Sequence, residues 1–357
     1  MKKYSLIYVV TSLILISLLA ILNYLVDPSY IFSSNYEKRI ALEMLKKNNV
    51  ADVSNLDERA LQKFYTAAAD KSNVIAIGSS RSMLIRSHHF KNQSFHNSSV
   101  SGAVLEDFLA IYRLYEKNNI CPDVLVLGFD PWILNENNTT SRWQSLKIEF
   151  SEMSEILDSN IEIKNNFLSE EARTLVSLPY LFKSISSLLE KEKKNGFSKE
   201  LPLFEGEDCE TGGLRWDGSR AYTRLERERS LESINANAID FAGNDPVYAL
   251  GDFHELSQKR SKLIESFIDH LQKKNIQVVI YLPPYHPIAY EKMIINDRYK
   301  IIKKVESYFH QLAKEKKIKI IGSYDSINAQ CDNADFIDAL HPNQSGIDKI
   351  FSTIELE

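Results

Sequence analysis

The sequence predicts an α/β fold built on a doubly wound sheet of about five parallel strands. Three observations carry this. Short segments with unbroken apolar interiors recur at Val74 to Gly78, Asp123 to Asp130, Ile276 to Leu282 and Ile318 to Gly322, as strands covered on both faces require. Segments with apolar residues at helical spacing lie between them. The strands end in glycine or proline turns, which in open α/β sheets gather side chains at the carboxyl edge, where ligands bind.

The elements follow in order. Tyr4 to Val26 carries no charge after Lys2 and Lys3. At ~1.5 Å per helical residue it reaches ~34 Å, enough for a hydrocarbon core of ~30 Å. No small-residue cleavage site or lipid-accepting cysteine follows, so it reads as an uncleaved, single-pass anchor at residues 1–26. A buried core helix is the alternative. Lys2 and Lys3 favour a cytoplasmic amino terminus, placing the remainder on the periplasmic or outer face of a cytoplasmic (inner) membrane. Lys38, Arg39, Lys46 and Lys47 weaken that asymmetry.

Residues 27–70 read as a helical linker, with helices over Tyr36 to Lys47 and Leu56 to Ala69. The domain then spans 71–357. After Val74 to Gly78, Ser94 to Gly102 reads as a short strand and loop. Val104 to Asn118 shows Leu105, Phe108, Leu109, Tyr112 and Tyr115 on one helical face. The alternation stops over about 132–255, a large, mainly helical insertion of the kind that covers or builds a site. It contains a helix over Phe167 to Lys194 with a kink expected at Pro179. A loop over 203–220 and a helix over Tyr222 to Ile234 follow. The pattern resumes with helices over Leu256 to Lys274 and Ile301 to Glu315 and a final helix after Gly346.

Composition narrows the function classes. Net charge is −5 and no long Lys/Arg tract occurs, which argues against nucleic acid as a partner. Cys121, Cys209 and Cys331 are far apart, and no CxxC or Cys/His cluster points to a metal or redox cofactor, so none is expected. One disulfide is compatible with an oxidising compartment, with the pair left open.

The chemistry-bearing stretch is Gly78-Ser79-Ser80-Arg81 at the end of the first sheet strand. Ser79 or Ser80 is a candidate nucleophile; the alternative is a serine turn capping the next helix. A serine nucleophile needs a base, and the base an orienting group. His341 follows the last strand, with Asp338 three residues before it, a spacing that lets the carboxylate hold one ring nitrogen while the other faces the serine. His88 and His89 are weaker rivals as base, in a polar stretch just past the serines.

These blocks together resemble the SGNH (GDSL-like) hydrolase superfamily. Gly78-Ser79-Ser80 matches its first block with Ser for Asp and aligns Ser80 with the nucleophile. Asp338-Ala-Leu-His341 matches the last block fully. Gly102 fits the second, and Gly128-Phe129-Asp130 the third with Asp in place of Asn. The match covers 74–130 and 276–356. The resemblance implies a three-layer fold, a Ser80–His341–Asp338 triad and an oxyanion site of the Ser80 and Gly102 amides with Asp130. An ionised Asp only accepts hydrogen bonds, so Arg81 is the candidate to compensate, with an ion pair to Asp130 or Glu106 as the other reading. The Gly-Ser-Ser-Arg and Gly-Phe-Asp-Pro forms are similar to membrane-anchored members that serve teichoic acid D-alanylation and alginate acetylation. That likeness implies an O-acetyltransferase or acetyl esterase acting on an envelope polysaccharide beside a multi-spanning O-acyltransferase. The alternatives are a non-catalytic glycan-binding or scaffold protein and a plain anchored esterase. Asn97, His286, Arg215, Trp216 and Arg220 are candidates for substrate contact.

Overall fold

Twelve helices and nine strands are described in a computed structural model covering residues 2–26, 35–53, 56–159, 175–193, 200–352 and 354. In chain order these are α1 (Lys2–Val26), α2 (Asn35–Leu45), β1 (Asn49–Ala51), α3 (Glu58–Thr66), β2 (Val74–Gly78), β3 (Phe95–Asn97), α4 (Leu105–Lys117), β4 (Val124–Gly128) and α5 (Lys147–Ile156). Then come α6 (Leu178–Lys193), β5 (Leu203–Phe204), β6 (Gly213–Leu214), β7 (Arg220–Ala221), α7 (Arg224–Arg227), α8 (Leu231–Gly243) and α9 (Gln258–Lys273). The chain closes with β8 (Gln277–Leu282), α10 (Pro287–Ile295), α11 (Ile301–Lys316), β9 (Lys319–Gly322) and α12 (Gln344–Phe351).

Five parallel strands form the main sheet in the order β3-β2-β4-β8-β9. Every residue of β2 and β4 is buried, as their unbroken apolar runs require. Successive side chains divide between the two faces. Ile75, Ile77, Leu125, Leu127, Val278 and Ile280 meet the apolar faces of α4, α9 and α11. Val74, Ala76, Val124, Val126, Val279 and Tyr281 meet Leu84, Ile85, Phe90, Ile347, Ile350 and Phe351. Both faces are therefore covered, one by three long helices and the other by α12 and the segment leading into β3.

A second sheet, β5-β1-β6-β7, is antiparallel and has no counterpart in the sequence reading, which expected a loop over 203–220. Strands of two or three residues are too short to show a period. Gly213 is needed here, because a Cβ would fall 2.2 Å from the Val50 carbonyl. The sheet joins residues 49–51 to the insertion. Further on, Arg59 of α3 makes a buried bidentate ion pair with Asp107 of α4 at 2.7 and 2.9 Å.

Two helix expectations are corrected. Pro179 does not kink a long helix; it sits in the first turn of α6, where proline lacks nothing the helix needs. Residues 167–174 of that expected helix lie outside the described residues. The helix expected over Tyr222 to Ile234 is two helices, because Thr223 with Glu226 caps α7 and Ser230 caps a fresh start at α8. The three cysteines are free thiols. α1 contains an apolar stretch, Ile7–Val26, long enough to cross a membrane, and almost none of it is buried against the protein.

Candidate active site

The segments after β2, β4, β8 and β9 converge at the carboxyl edge of one parallel sheet, since each leaves its strand in the same direction. Glycine makes the crowding there feasible. A Cβ on Gly78 or Gly128 would fall 2.3 or 2.1 Å from the Ser82 hydroxyl.

The two serines of the first turn divide two roles, and the resemblance had aligned Ser80 with the nucleophile. Ser79 is the cap: its hydroxyl accepts from the Arg81 amide at 3.2 Å at the start of a short 3-10 turn over Ser80–Ser82. Ser80 Oγ lies 2.9 Å from His341 Nε2. His341 Nδ1 lies 2.9 Å from both oxygens of Asp338. An acceptor-only carboxylate at Nδ1 requires the Nδ1–H tautomer, which leaves Nε2 to accept the Ser80 proton.

The Asp338–His341 loop is held from several sides. Asp338 Oδ1 accepts from the amides of Leu340 and His341 at 2.8 and 2.9 Å, an Asx turn that fixes the carboxylate under the ring. The Ile337 amide donates to the His341 carbonyl at 2.9 Å, and the His286 amide to the Ala339 carbonyl at 3.1 Å. The Ala339 amide donates to Asn237 Oδ1 of α8 at 3.0 Å. Burial raises the Asp338 pKa, but the His341 ring and the two amides outweigh burial and bring it down to about 2.

Arg81 occupies the floor. Its Nη1 donates to Asp130 at 2.7 Å, Nη2 to the Pro283 carbonyl at 2.6 Å and Nε to the Leu340 carbonyl at 2.9 Å. Its guanidinium also stacks over Tyr285, 4.1 Å from the ring centroid. Arg81, on the segment after β2, thus ties that segment to the other three, and all three of its nitrogens are engaged. Burial is the largest influence on Asp130 and raises its pKa, opposed by Arg81 and the neighbouring Ser79. Asp130 in turn holds Arg81 in its cationic form against its own burial. Of the two pairings expected for Arg81, the one with Asp130 forms; Glu106 pairs with Arg260 at 2.8 Å.

Gly102 adopts a left-handed turn (φ +61°), and a Cβ there would come within 3.2 Å of the Tyr248 hydroxyl and 3.9 Å of Arg142. The next-door Ser101 is fixed by Glu58, which accepts from its amide and, at 2.8 Å, from its hydroxyl.

Four of the five candidates for substrate contact are engaged in contacts within the protein. Asn97 is buried; its amide donates to the Ser82 and Ile85 carbonyls at 2.8 and 2.9 Å and its oxygen accepts from Ser99. His286 is buried as the cap of α10, with burial pushing its pKa down to about 4. Arg215 is buried against the Glu207 and Arg220 carbonyls, with burial lowering its pKa to about 10. Trp216 is engaged at the small sheet, its amide on Asn49 Oδ1 at 3.0 Å and its ring beneath Lys47. Arg220 is the exception: its guanidinium stacks on Tyr222, whose ring centroid is 6.5 Å from that of His341. Tyr222, Asn237, Glu58 and Ser101 were not found from sequence, since no motif marks them and their places are set by insertion and loop packing.

His88 and His89 turn to Asp348, at 3.0 and 2.8 Å, rather than to Ser80. Among the described residues these three are the group whose ligand atoms cluster closely enough to hold a metal ion, within 4.8 Å of one another, and His88 is exposed.

Fold and site define a class: a mixed α/β protein behind an apolar amino-terminal helix, with a Ser–His–Asp constellation at the carboxyl edge of a five-stranded parallel sheet. The particular family follows from the sequence: the model described as "Protein of unknown function (DUF1574)" matches residues 11–354, and the chain belongs to that family. No curated protein matches the chain.

Proposed function

We propose that this chain is a membrane-anchored, SGNH-like serine acyltransferase or esterase whose substrate is an acylated polysaccharide of the cell envelope. The carrying observation is the chain of contacts from Ser80 Oγ through His341 to Asp338, each 2.9 Å. In the proposed reaction the Ser80 hydroxyl proton passes to His341 Nε2 as Oγ attacks the ester carbonyl. The tetrahedral oxyanion is met by the backbone amides of Ser80 and Gly102. The imidazolium returns the proton to the leaving alkoxide as the carbon–oxygen bond breaks, leaving an acyl ester on Ser80. A sugar hydroxyl or water then attacks, His341 taking its proton and passing it to Ser80 as the acyl group departs. Ionised Asp338 stabilises the imidazolium throughout. The acetyl group, the polymer, the outward orientation and a multi-spanning O-acyltransferase partner rest on the resemblance to envelope acyl-transfer proteins.

A fluorophosphonate probe tests the serine chemistry. Wild-type protein in detergent is expected to label at one site, Ser80→Ala to lose labelling, and His341→Ala to slow it by roughly 10²-fold or more. Assay of released acetate against acetylated oligosaccharide separates hydrolysis from transfer.

A second reading has its own observation. Asp130 stands where the superfamily has an oxyanion-donating Asn, and Arg81 is fully engaged beneath it. Losing one such donor typically costs about 3 kcal/mol in barrier. This favours a glycan-binding or scaffold role, and a wild-type protein that does not label would support it.

A further inference from the structure

The helix α6 carries an apolar stripe that nothing in the described protein covers. Leu178, Phe182 and Ile185 recur at helical i, i+4 and i+7 spacing and are 57%, 67% and 40% exposed. Val176, just before the helix, is 50% exposed. On the opposite side Tyr180 and Ser184 are buried. That side faces α1: Ser184 Oγ donates to Asn23 Oδ1 at 3.1 Å. Asn23 Nδ2 donates to the carbonyls of Leu175 and Ser177 at 2.9 and 3.2 Å.

Asn23 sets the depth. It is the polar residue near the end of the apolar stretch Ile7–Val26, and it is fully buried by these contacts. Three residues from the end of the stretch correspond to ~4.5 Å along a helix axis. A polar amide at that level must be satisfied within the protein, and residues 175–184 satisfy it. Whatever surrounds the last turns of α1 therefore also surrounds the start of α6. At this level α1 itself presents exposed Ile21, Tyr24 and Leu25.

We propose that α6 is an interfacial helix, lying in the outer boundary of the membrane with Leu178, Phe182 and Ile185 in lipid and docked on α1 through Asn23. The stripe starts at the level of the last turns of α1, whose own surface there is apolar, and a helix with one apolar face and one protein-bound face suits an interfacial position. The consequence is orientational. α6 belongs to the insertion that also supplies Tyr222, Arg220 and Asn237 to the candidate site, so α1 and α6 together fix how that site sits over the membrane. This inference rests on the reading of α1 as the membrane anchor.

The test uses the full chain in vesicles of phosphatidylethanolamine and phosphatidylglycerol that include an alkyne-tagged acyl chain. The photoreactive residue p-benzoyl-phenylalanine replaces Leu15, Phe182 or Leu225 singly. Leu15 reports on α1, and Leu225, 87% exposed on α7, is the control for surface residues. Each position is exposed, so the replacement is compatible with folding. Lipid adducts are expected at Leu15 and Phe182, with yield at Phe182 about tenfold or more above that at Leu225. Adducts at Leu15 with background yield at Phe182 overturn the proposal and leave the anchor standing. A protein-to-protein adduct at Phe182 overturns it in favour of a second copy of the chain. Background yield at both positions overturns the anchor, and the proposal with it.

Discussion

Asp338 and Arg81 illustrate how single residues in this site are stabilised by opposite means. Asp338 is a partly exposed carboxylate whose hydrogen bonds outweigh its burial, so folding lowers its pKa from an ordinary 3.8 to about 2. A group whose pKa falls on folding stabilises the folded state above its unfolded value and loses that contribution as the pH drops through its folded value. The expected contribution is about 2 kcal/mol, complete above about pH 5 and lost toward pH 2. Urea unfolding of wild type and Asp338→Asn across this range should show their stability difference shrinking on acidification. A difference that stays constant would remove the carboxylate from this role. Arg81 is instead fully buried and paired. Removing one member of such a pair leaves the other charge stranded, so Arg81→Ala should cost about 3–5 kcal/mol. Arg81→Met with Asp130→Leu should recover much of that, measured as thermal unfolding. Because Arg81 Nε holds the carbonyl before His341, the single variant should also slow fluorophosphonate labelling while Ser80 and His341 remain present.

At the scale of elements, the insertion is bound to the sheet edge through close backbone approaches. Gly218, at φ +82°, carries no Cβ because one would fall 2.2 Å from the Asn97 carbonyl and 2.8 Å from the His96 ring. His96 is itself buried in a stack on Tyr65, 3.7 Å between centroids, with burial lowering its pKa to about 3. The turn over 215–218, β3 and α3 thus form one packed unit. Gly218→Ala strains both the turn and this contact, and a loss of about 2–4 kcal/mol is expected in chemical denaturation. A neutral outcome would mean that the turn can lift off β3. The same close approach bears on Asn97, a candidate for substrate contact by sequence, whose amide holds the Ser82 and Ile85 carbonyls. An asparagine at the end of a strand is as good a reagent for tying carbonyls together as for touching a sugar, and which it does depends on what the chain packs against it.

At the scale of the whole molecule, the described residues combine a five-stranded parallel sheet, much of a large insertion and one helix long and apolar enough to span a membrane. With α1 as a spanning anchor, the full chain is expected to resist extraction from membranes by alkaline carbonate. Deletion of residues 2–26 should leave a folded protein that carbonate releases, because an interfacial helix alone binds reversibly. Carbonate resistance that survives the deletion would assign the anchoring elsewhere.

What the amino-acid sequence determined by itself was the strands of the main sheet and the Asp338–His341 turn. Unbroken apolar runs gave β2, β4, β8 and β9 to within a residue or two, because burial on both faces leaves no other pattern. The Asp338-Ala-Leu-His341 spacing was legible because the Asx turn that aligns carboxylate and ring is made within four residues. Tertiary structure alone decided the rest. The resemblance singled out Ser80, and the fold supplies the physical reason: the turn after β2 spends Ser79 on its own cap and brings Ser80 to His341. The small sheet pairs strands about 150 residues apart, and pairing between such distant short segments leaves no periodic trace. Arg81 is a clamp and not a free cation because three carbonyl or carboxylate oxygens from distant segments arrive around it, and only the completed fold brings them there.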